Sequence, residues 1–293
     1  MIAKWVWHPW GRLGIAILMT SLVGVAHHRG NATLTLVLLS ALVTGGLYAG
    51  LGFTARGDFK FTGLWRQQMT WEAYRDQVWE PHEAEMAAEV EQMRKAEARV
   101  ADFAAAHGLD RITLAVTGAG LGWIDDAGSV RISKTLGHIE LGHLWFFPEG
   151  IANLPHIVEH ELAHIQRNDS MRHILWTSGT AATSVAGAGL LPFPDAAVAI
   201  TAVFALRTAA GWWRELACDT IAARRCGRPA AVRALTHLLD NRRTLPARLR
   251  YASMLAGLRS HPPHLLRCWW IRHAPALPVT DSAAPTASWN IGR

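Results

Sequence analysis

Cysteine is scarce in this 293-residue sequence, which contains only Cys218, Cys226 and Cys268. None of the three forms a C-x-x-C pair, and this argues against a disulfide framework and against a cysteine-rich zinc site. Reduced thiols are the remaining interpretation, and they predict that the soluble part of the chain faces a reducing compartment. No internal repeat is recognisable in the sequence.

The sequence also lacks the basic stripe that a nucleic-acid-binding face requires, although its formal net charge is +6. Arginine and lysine collect beside apolar runs instead, as the positive-inside rule predicts for membrane proteins. Hydrophobic residues make up 50% of the chain, which is high for a soluble enzyme. We therefore expect a lipid bilayer, and not a nucleic acid, as a partner.

Four apolar runs are candidate transmembrane helices, and they cover residues 13–26, 33–53, 174–191 and 196–213. The first is shorter than the roughly 20 residues that a span needs, so a cleaved signal peptide is its alternative. No convincing small-x-small cleavage site precedes the second run, and this favours an uncleaved span. For the last two runs the alternative is a pair of buried core helices, but their length and near absence of charge favour a membrane hairpin.

These runs divide the chain into five segments, and the arginine distribution predicts their topology. Both termini and the polar domain are expected on the cytoplasmic side of the cell membrane, in a multi-pass protein. The predicted segments are a membrane hairpin (1–55), the first part of a catalytic domain (56–173), a second membrane hairpin (174–213), the second part of the catalytic domain (214–274) and a disordered tail (275–293).

The polar segments show the periodicity of helices and of a small sheet. Apolar spacing predicts a helix over 71–106 with a break near Pro81, and two short strands at 112–116 and 129–133. His138 falls in the predicted loop that connects these strands to the next helix. The expected fold class is mainly α, with four transmembrane helices and a small β-sheet.

The sequence His160-Glu161-Leu162-Ala163-His164 carries the clearest chemical signal. Two histidines four residues apart project from one face of a helix, which is the geometry that two imidazoles need to bind one zinc ion. Glu161 is then placed to take a proton from a water at the metal and to pass it to the leaving amine. His156 lies one turn earlier, and we interpret it as a helix-start residue rather than as a ligand.

A catalytic zinc needs a third protein ligand, and Glu215 is the candidate. Asp219 follows it by one helical turn and is placed to accept a hydrogen bond from the outer N–H of a ligand histidine, which we expect to be His160. The alternative makes Glu215 a solvated charge near a helix N-terminus. The upstream histidine pair favours the ligand.

The order of these motifs resembles the M48 family of zinc metallopeptidases, in its HtpX-like branch. The stretches that carry the resemblance are His160–His164 with Asp169 beyond it, Glu215 with Asp219, and Ser260-His261-Pro262-Pro263 with Arg267. The resemblance implies a gluzincin-type endopeptidase with one Zn2+ per chain that cuts membrane or misfolded proteins at the cytoplasmic face. It also implies catalytic parts for His261 and Arg267.

Several alternatives stay open at this point. His261 could steady the oxyanion, contact substrate or reach the zinc, or it could belong to a simple turn. The M56 group of signalling peptidases, which cleave a repressor, is an alternative family, although its sensor domain is missing here. A non-catalytic zinc-binding membrane scaffold is the alternative of another class. The substrate and the oligomeric state are not predicted.

Overall fold

The computed structural model describes the sheet, the motif helix and the helices that follow. The described residues are 22, 25–26, 28–36, 38–39, 68–79, 87–117, 127–146, 148–191, 193–244, 247–248 and 261–274. Most of the first two predicted spans and the whole of the predicted tail lie outside these residues.

The chain divides into two compact units, each made of two separate stretches. The first unit is Met1–Thr54 with Met171–Ala210, and the second is Ala55–Ser170 with Gly211–Arg293. Every residue of the predicted zinc site belongs to the second unit.

The second unit contains a four-stranded sheet in the order β1–β2–β4–β3. Its strands are β1 (Gln68–Thr70), β2 (Arg111–Thr117), β3 (Ala127–Arg131) and β4 (Leu136–Gly142). β2 and β4 are parallel, whereas β1 pairs with β2 and β3 pairs with β4 in antiparallel register. The two predicted strands are therefore present, each extended or shifted by one or two residues.

The prediction of a loop around His138 was wrong, because this residue lies in the middle of β4. The buried face of β4 consists of Gly137, Ile139 and Leu141, while His138 and Glu140 are on the other face. A glycine in place of a third large apolar residue weakens the alternating pattern by which strands are recognised.

Gly137 has a packing role that brings the sheet close to the motif helix. A Cβ atom at this position would lie 3.2 Å from Ile112 Cγ1 and 3.2 Å from Ile165 Cδ1, so a larger residue would push one of them away. Ile165 is fully buried on the helix that carries the predicted histidine ligands. The close approach of sheet and helix thus depends on a glycine.

The helices of the second unit enclose its core. They are α1 (Trp71–Tyr74), continued by a π-helical turn at Arg75–Trp79, then α2 (Ala87–Ala106), a 3-10 turn at His143–Phe146, α3 (Pro148–Ile151), α4 (Leu154–Arg167), α7 (Arg228–Thr244) and α8 (His264–His273). α2 buries Val90, Met93, Val100 and Phe103 at helical spacing. Gly108, with φ of 62°, follows the end of that helix.

Two long helices follow the motif helix. α5 covers Asp169–Leu190 and α6 covers Phe193–Cys226. Within α6 the stretch Pro194–Cys226 is long and apolar enough to cross a membrane, and it is the one helix of the described residues that meets both conditions. Only 6% of its most apolar window is buried, which differs from the buried core helix that was the alternative for this run.

Candidate metal centre

The motif helix α4 places His160 and His164 one turn apart on the same face. Pro155 lies in its first turn, and Asn168 ends it in the left-handed conformation with φ of 51°. The backbone N–H of Asn168 donates to the carbonyls of His164 and Ile165, as in many helix ends. The two Nε2 atoms of the histidines lie 3.1 Å apart.

Glu215 of α6 brings its carboxylate to these two nitrogens. Its Oε2 lies 3.4 Å from Nε2 of His160, and its Oε1 lies 3.5 Å from Nε2 of His164. Tetrahedral zinc with bonds of about 2.0–2.1 Å separates its ligand atoms by roughly 3.4 Å. The two nitrogens and the two carboxylate oxygens thus lie at distances that suit zinc ligands, and three protein ligands would leave a fourth position for a water or substrate.

The outer nitrogens of both imidazoles face carboxylates. Nδ1 of His160 lies 2.9 Å from Oδ1 of Asp219, and Nδ1 of His164 lies 2.9 Å from Oδ2 of Asp169. A hydrogen on Nδ1 of His164 would be donated to Asp169, and a hydrogen on Nδ1 of His160 would face Asp219. Each Nε2 then carries a lone pair, and these two lone pairs and the Glu215 carboxylate form an acceptor set that could bind a cation.

The protonation of the two histidines follows from the same neighbours. Burial disfavours the charged form of His160, but the carboxylates of Asp219 and Glu215 outweigh it, so its pKa is raised. For His164 burial is likewise outweighed, by Glu215 and Asp169, and its pKa is raised well above the ordinary value. Without a metal, protonation of the two imidazoles is therefore favoured, and a bound cation would replace these protons.

Asp219 is completely buried and is held by Arg267 of α8. Arg267 donates from Nε to Oδ2 at 2.7 Å and from Nη2 to Oδ1 at 2.6 Å. The guanidinium is itself buried, and the Asp219 carboxylate raises its pKa despite that burial. Arg267 thus fixes the carboxylate that orients His160, and among the metal-binding atoms it contacts none.

His261 lies at the start of the stretch that leads into α8. Its Nδ1 is 2.9 Å from Oε2 of Glu215, and its side chain is 49% exposed. One edge of the imidazole thus contacts the third ligand while the rest of the ring faces solvent. His261 therefore lies beside a predicted metal ligand, and its catalytic part stays a prediction.

Glu161 is buried beside the metal ligands, with 5% of its surface exposed. Its backbone carbonyl accepts a hydrogen bond from the Ser129 hydroxyl of β3. No hydrogen bond or ion pair to its carboxylate is found among the described residues. The carboxylate therefore has no structural partner among these residues and is available to accept a proton.

An ion-pair cluster that was not predicted from the sequence lies behind the motif helix and consists of Arg99, Glu159 and Arg225. Arg99 donates two hydrogen bonds to the buried Glu159 carboxylate, and Arg225 donates a third at 3.3 Å. Arg225 also donates to Gln166 at 2.7 Å. The cluster connects α2, α4 and α6, and nothing in the local sequence pairs these residues.

Two further groups of ligand-type side chains surround the centre. They are His156, His160 and Asp219 on one side, and His164, Asp169 and Cys218 on the other. In both groups the carboxylate already binds an arginine, Arg267 for Asp219 and Arg167 for Asp169. Burial lowers the pKa of His156, which keeps it neutral beside Asp219.

The structure brings together the predicted ligands His160, His164 and Glu215, and it places Asp219 on the outer nitrogen of His160. His261 contacts the same ligand set, whereas Arg267 acts on Asp219 and not on the metal-binding atoms. Asp169 has a clear part as the partner of His164. No protein-family model matches the chain, and no curated protein matches it.

Proposed function

We propose that the chain is a membrane-bound, zinc-dependent endopeptidase that hydrolyses peptide bonds of membrane or misfolded proteins. The observation that carries the proposal is the convergence of His160, His164 and Glu215, with the buried acid Glu161 next to the first ligand in sequence. The order of motifs that resembles the M48 family supports the same reaction.

The donor set supports zinc as the metal. Two imidazoles and one carboxylate with a free fourth position are typical of catalytic zinc sites, whereas magnesium and calcium prefer sets made of oxygen alone. When bound, zinc polarises the scissile carbonyl and lowers the pKa of a water molecule. Asp219 and Asp169 hold the two histidines in the tautomer that binds a metal.

Glu161 is the proposed general base and acid. Its carboxylate accepts the proton of the attacking water and then donates it to the nitrogen of the departing amine. Its burial keeps the site poor in water, which strengthens electrostatic effects on the reacting groups. His261 is the proposed contact to substrate or to the oxyanion, because its half-exposed ring lies beside Glu215.

The proposed association with the membrane rests on α6. This helix carries the apolar run 196–213 in its N-terminal part, and Glu215 follows that run by two residues in the same helix. A metal ligand that follows a span directly in sequence favours substrates that are themselves in or near a membrane. The multi-pass topology and the cytoplasmic location of the catalytic domain are parts of this proposal.

The test uses the full chain purified in detergent, with zinc content and cleavage of casein measured on the same samples. We expect about one zinc per chain and hydrolysis by the unsubstituted protein. Glu161→Gln should retain zinc and lose hydrolysis, because it removes the proton acceptor and no ligand. Glu215→Ala should lose both zinc and hydrolysis.

Glu91→Gln, which changes an exposed glutamate of α2, is the matched control for the loss of one carboxylate and should behave as the unsubstituted protein. Equal hydrolysis by Glu161→Gln and the unsubstituted protein would contradict the proposed reaction. Zinc retained with no hydrolysis of casein or of a membrane substrate would favour the metal-binding scaffold.

A further inference from the structure

The C-terminal helix α8 has a distinct inner and outer face. The inner face is buried and consists of His264, Arg267, Cys268 and Ile271, which recur at helical spacing. The outer face exposes Leu265 and Trp269, at 63% and 53% of their surface. A solvent-facing helix surface normally carries polar residues at such positions, so two large apolar side chains one turn apart are unusual.

The inner face fixes α8 against α6. Besides the two hydrogen bonds from Arg267 to Asp219, Trp270 Nε1 donates to the hydroxyl of Thr220 at 2.9 Å. The Trp270 ring also meets Trp213 edge to face, with 5.8 Å between the ring centroids. Since these contacts lie within the second unit, they define where α8 runs along α6.

Trp213 relates this arrangement to the bilayer. It ends the apolar run of α6 and is 62% exposed, and Arg214 follows it immediately. A tryptophan followed by a basic residue at the end of a transmembrane helix lies at the level of the lipid headgroups. Because Trp270 packs on Trp213, the exposed neighbour Trp269 lies close to that level as well.

The exposed charge on α8, that of Arg272, is consistent with the same partner. Arg272 and His273 are both exposed in the last turn of the helix. The ring of His273 stacks on Trp269, with centroids 5.1 Å apart. An outer face with Leu265 and Trp269 beside a basic end matches helices that lie in the headgroup region of a bilayer with anionic lipids.

We propose that α8 is an interfacial helix whose outer face, Leu265 and Trp269, is inserted into the headgroup layer of an anionic bilayer. The proposal rests on the membrane-spanning part of the proposed function and is independent of the peptidase reaction. Its partner is the lipid surface itself, and neither a second copy of the chain nor another protein is required. The same helix holds Asp219 through Arg267, so the bilayer would border directly on an element that supports the metal centre.

Spin labels on the full chain, reconstituted into vesicles of phosphatidylcholine and phosphatidylglycerol, test this placement. The labelled variants are Leu265→Cys and Trp269→Cys on α8, Asp240→Cys on the exposed side of α7, and Val198→Cys in the apolar run of α6. The signal of the unsubstituted protein, which has its own three cysteines, is measured and subtracted. For each label, collision with oxygen, which partitions into lipid, is compared with collision with a water-soluble nickel chelate.

We expect the labels at 265 and 269 to collide more with oxygen than with nickel, by severalfold relative to the label at 240. The label at 198 should show the strongest preference for oxygen. A label at 269 as accessible to nickel as the label at 240, with the label at 198 still in lipid, would overturn the interfacial helix alone. If the label at 198 also faces water, the membrane-spanning part of the proposed function fails with it.

Two other outcomes also decide whether the proposed lipid contact stands. Low collision with both reagents at 265 and 269 would mean that protein covers this face, which overturns a lipid partner. If the oxygen preference at 269 is the same in vesicles without anionic lipid, insertion stands and the part assigned to Arg272 is wrong. The peptidase assay does not enter any of these readouts, so loss of activity in a labelled variant does not affect the result.

Discussion

Arg267 and Asp219 form a bidentate ion pair in which both partners are buried, with donor–acceptor distances of 2.7 and 2.6 Å. The pair connects α8 to α6 at the carboxylate that faces Nδ1 of His160. Arg267 therefore supports His160, a proposed metal ligand, indirectly through Asp219.

Removing this arginine should destabilise the protein and weaken metal binding together. Arg267→Ala leaves a buried carboxylate without its partner, and such losses cost roughly 3–5 kcal/mol. Denaturant unfolding in detergent measures the first effect and competition with a zinc chelator the second. Arg243→Ala, which breaks an exposed pair with Asp240, is the control, and its cost should be at most about 1 kcal/mol. Equal stability of the two variants would contradict the part assigned to Arg267.

Asp169→Asn should lower zinc affinity while leaving the protein folded. The amide keeps the size of the side chain but weakens the hydrogen bond that orients His164, and such changes typically cost 10–100-fold in affinity. Asp240→Asn, on the exposed side of α7, controls for the loss of a negative charge. If both variants bind zinc as the unsubstituted protein does, Asp169 has no part in orienting the ligand.

Zinc affinity should rise with pH through the neutral range. The pKa values of His160 and His164 are both raised by the surrounding carboxylates against the effect of burial, so protons occupy these sites above the ordinary range of histidine. Each displaced proton changes affinity about tenfold per pH unit below the pKa. Chelator competition between about pH 6 and pH 8 measures the slope. A flat profile would mean that the cation does not compete with these protons.

The cluster of Arg99, Glu159 and Arg225 should be needed for stability and for the spacing of the ligand helices. Glu159→Ala leaves two guanidiniums without their buried acceptor, at a cost of roughly 3–5 kcal/mol. Glu91→Ala, in an exposed pair with Lys95, is the control. Thermal unfolding midpoints in detergent distinguish the two, and a midpoint for Glu159→Ala equal to that of the control would rule out the structural part of this cluster.

His261→Ala should reduce peptide hydrolysis by about 100–1,000-fold, the loss typical of one oxyanion donor, while the zinc content stays unchanged. The expectation follows from a half-exposed ring that contacts Glu215 but is not needed to complete the three-ligand set. His273→Ala, an exposed histidine on the outer side of α8, is the control for loss of an imidazole. Zinc loss in His261→Ala would instead assign this residue to metal binding.

Local sequence was enough for those parts of the site that lie on one helix. The spacing of His160 and His164, and of Glu215 and Asp219, puts each pair on one helix face whatever the rest of the fold does. Asp169 also lies close to this helix in sequence. Asn168, in the left-handed conformation, ends α4, and the next helix begins at Asp169, whose carboxylate turns back to His164.

The tertiary structure alone decided how those helices meet. Glu159 lies 60 residues from Arg99 and 66 from Arg225, and Arg267 lies 48 residues from Asp219. No local pattern encodes such pairings, because a buried charge is satisfied by whichever opposite charge the packed chain delivers to it. β4 was missed for a related reason. Its buried face includes Gly137, and a larger residue there would crowd Ile112 and Ile165. The sequence by itself therefore determined the ligand types and their order on each helix, whereas packing determined that they share one centre.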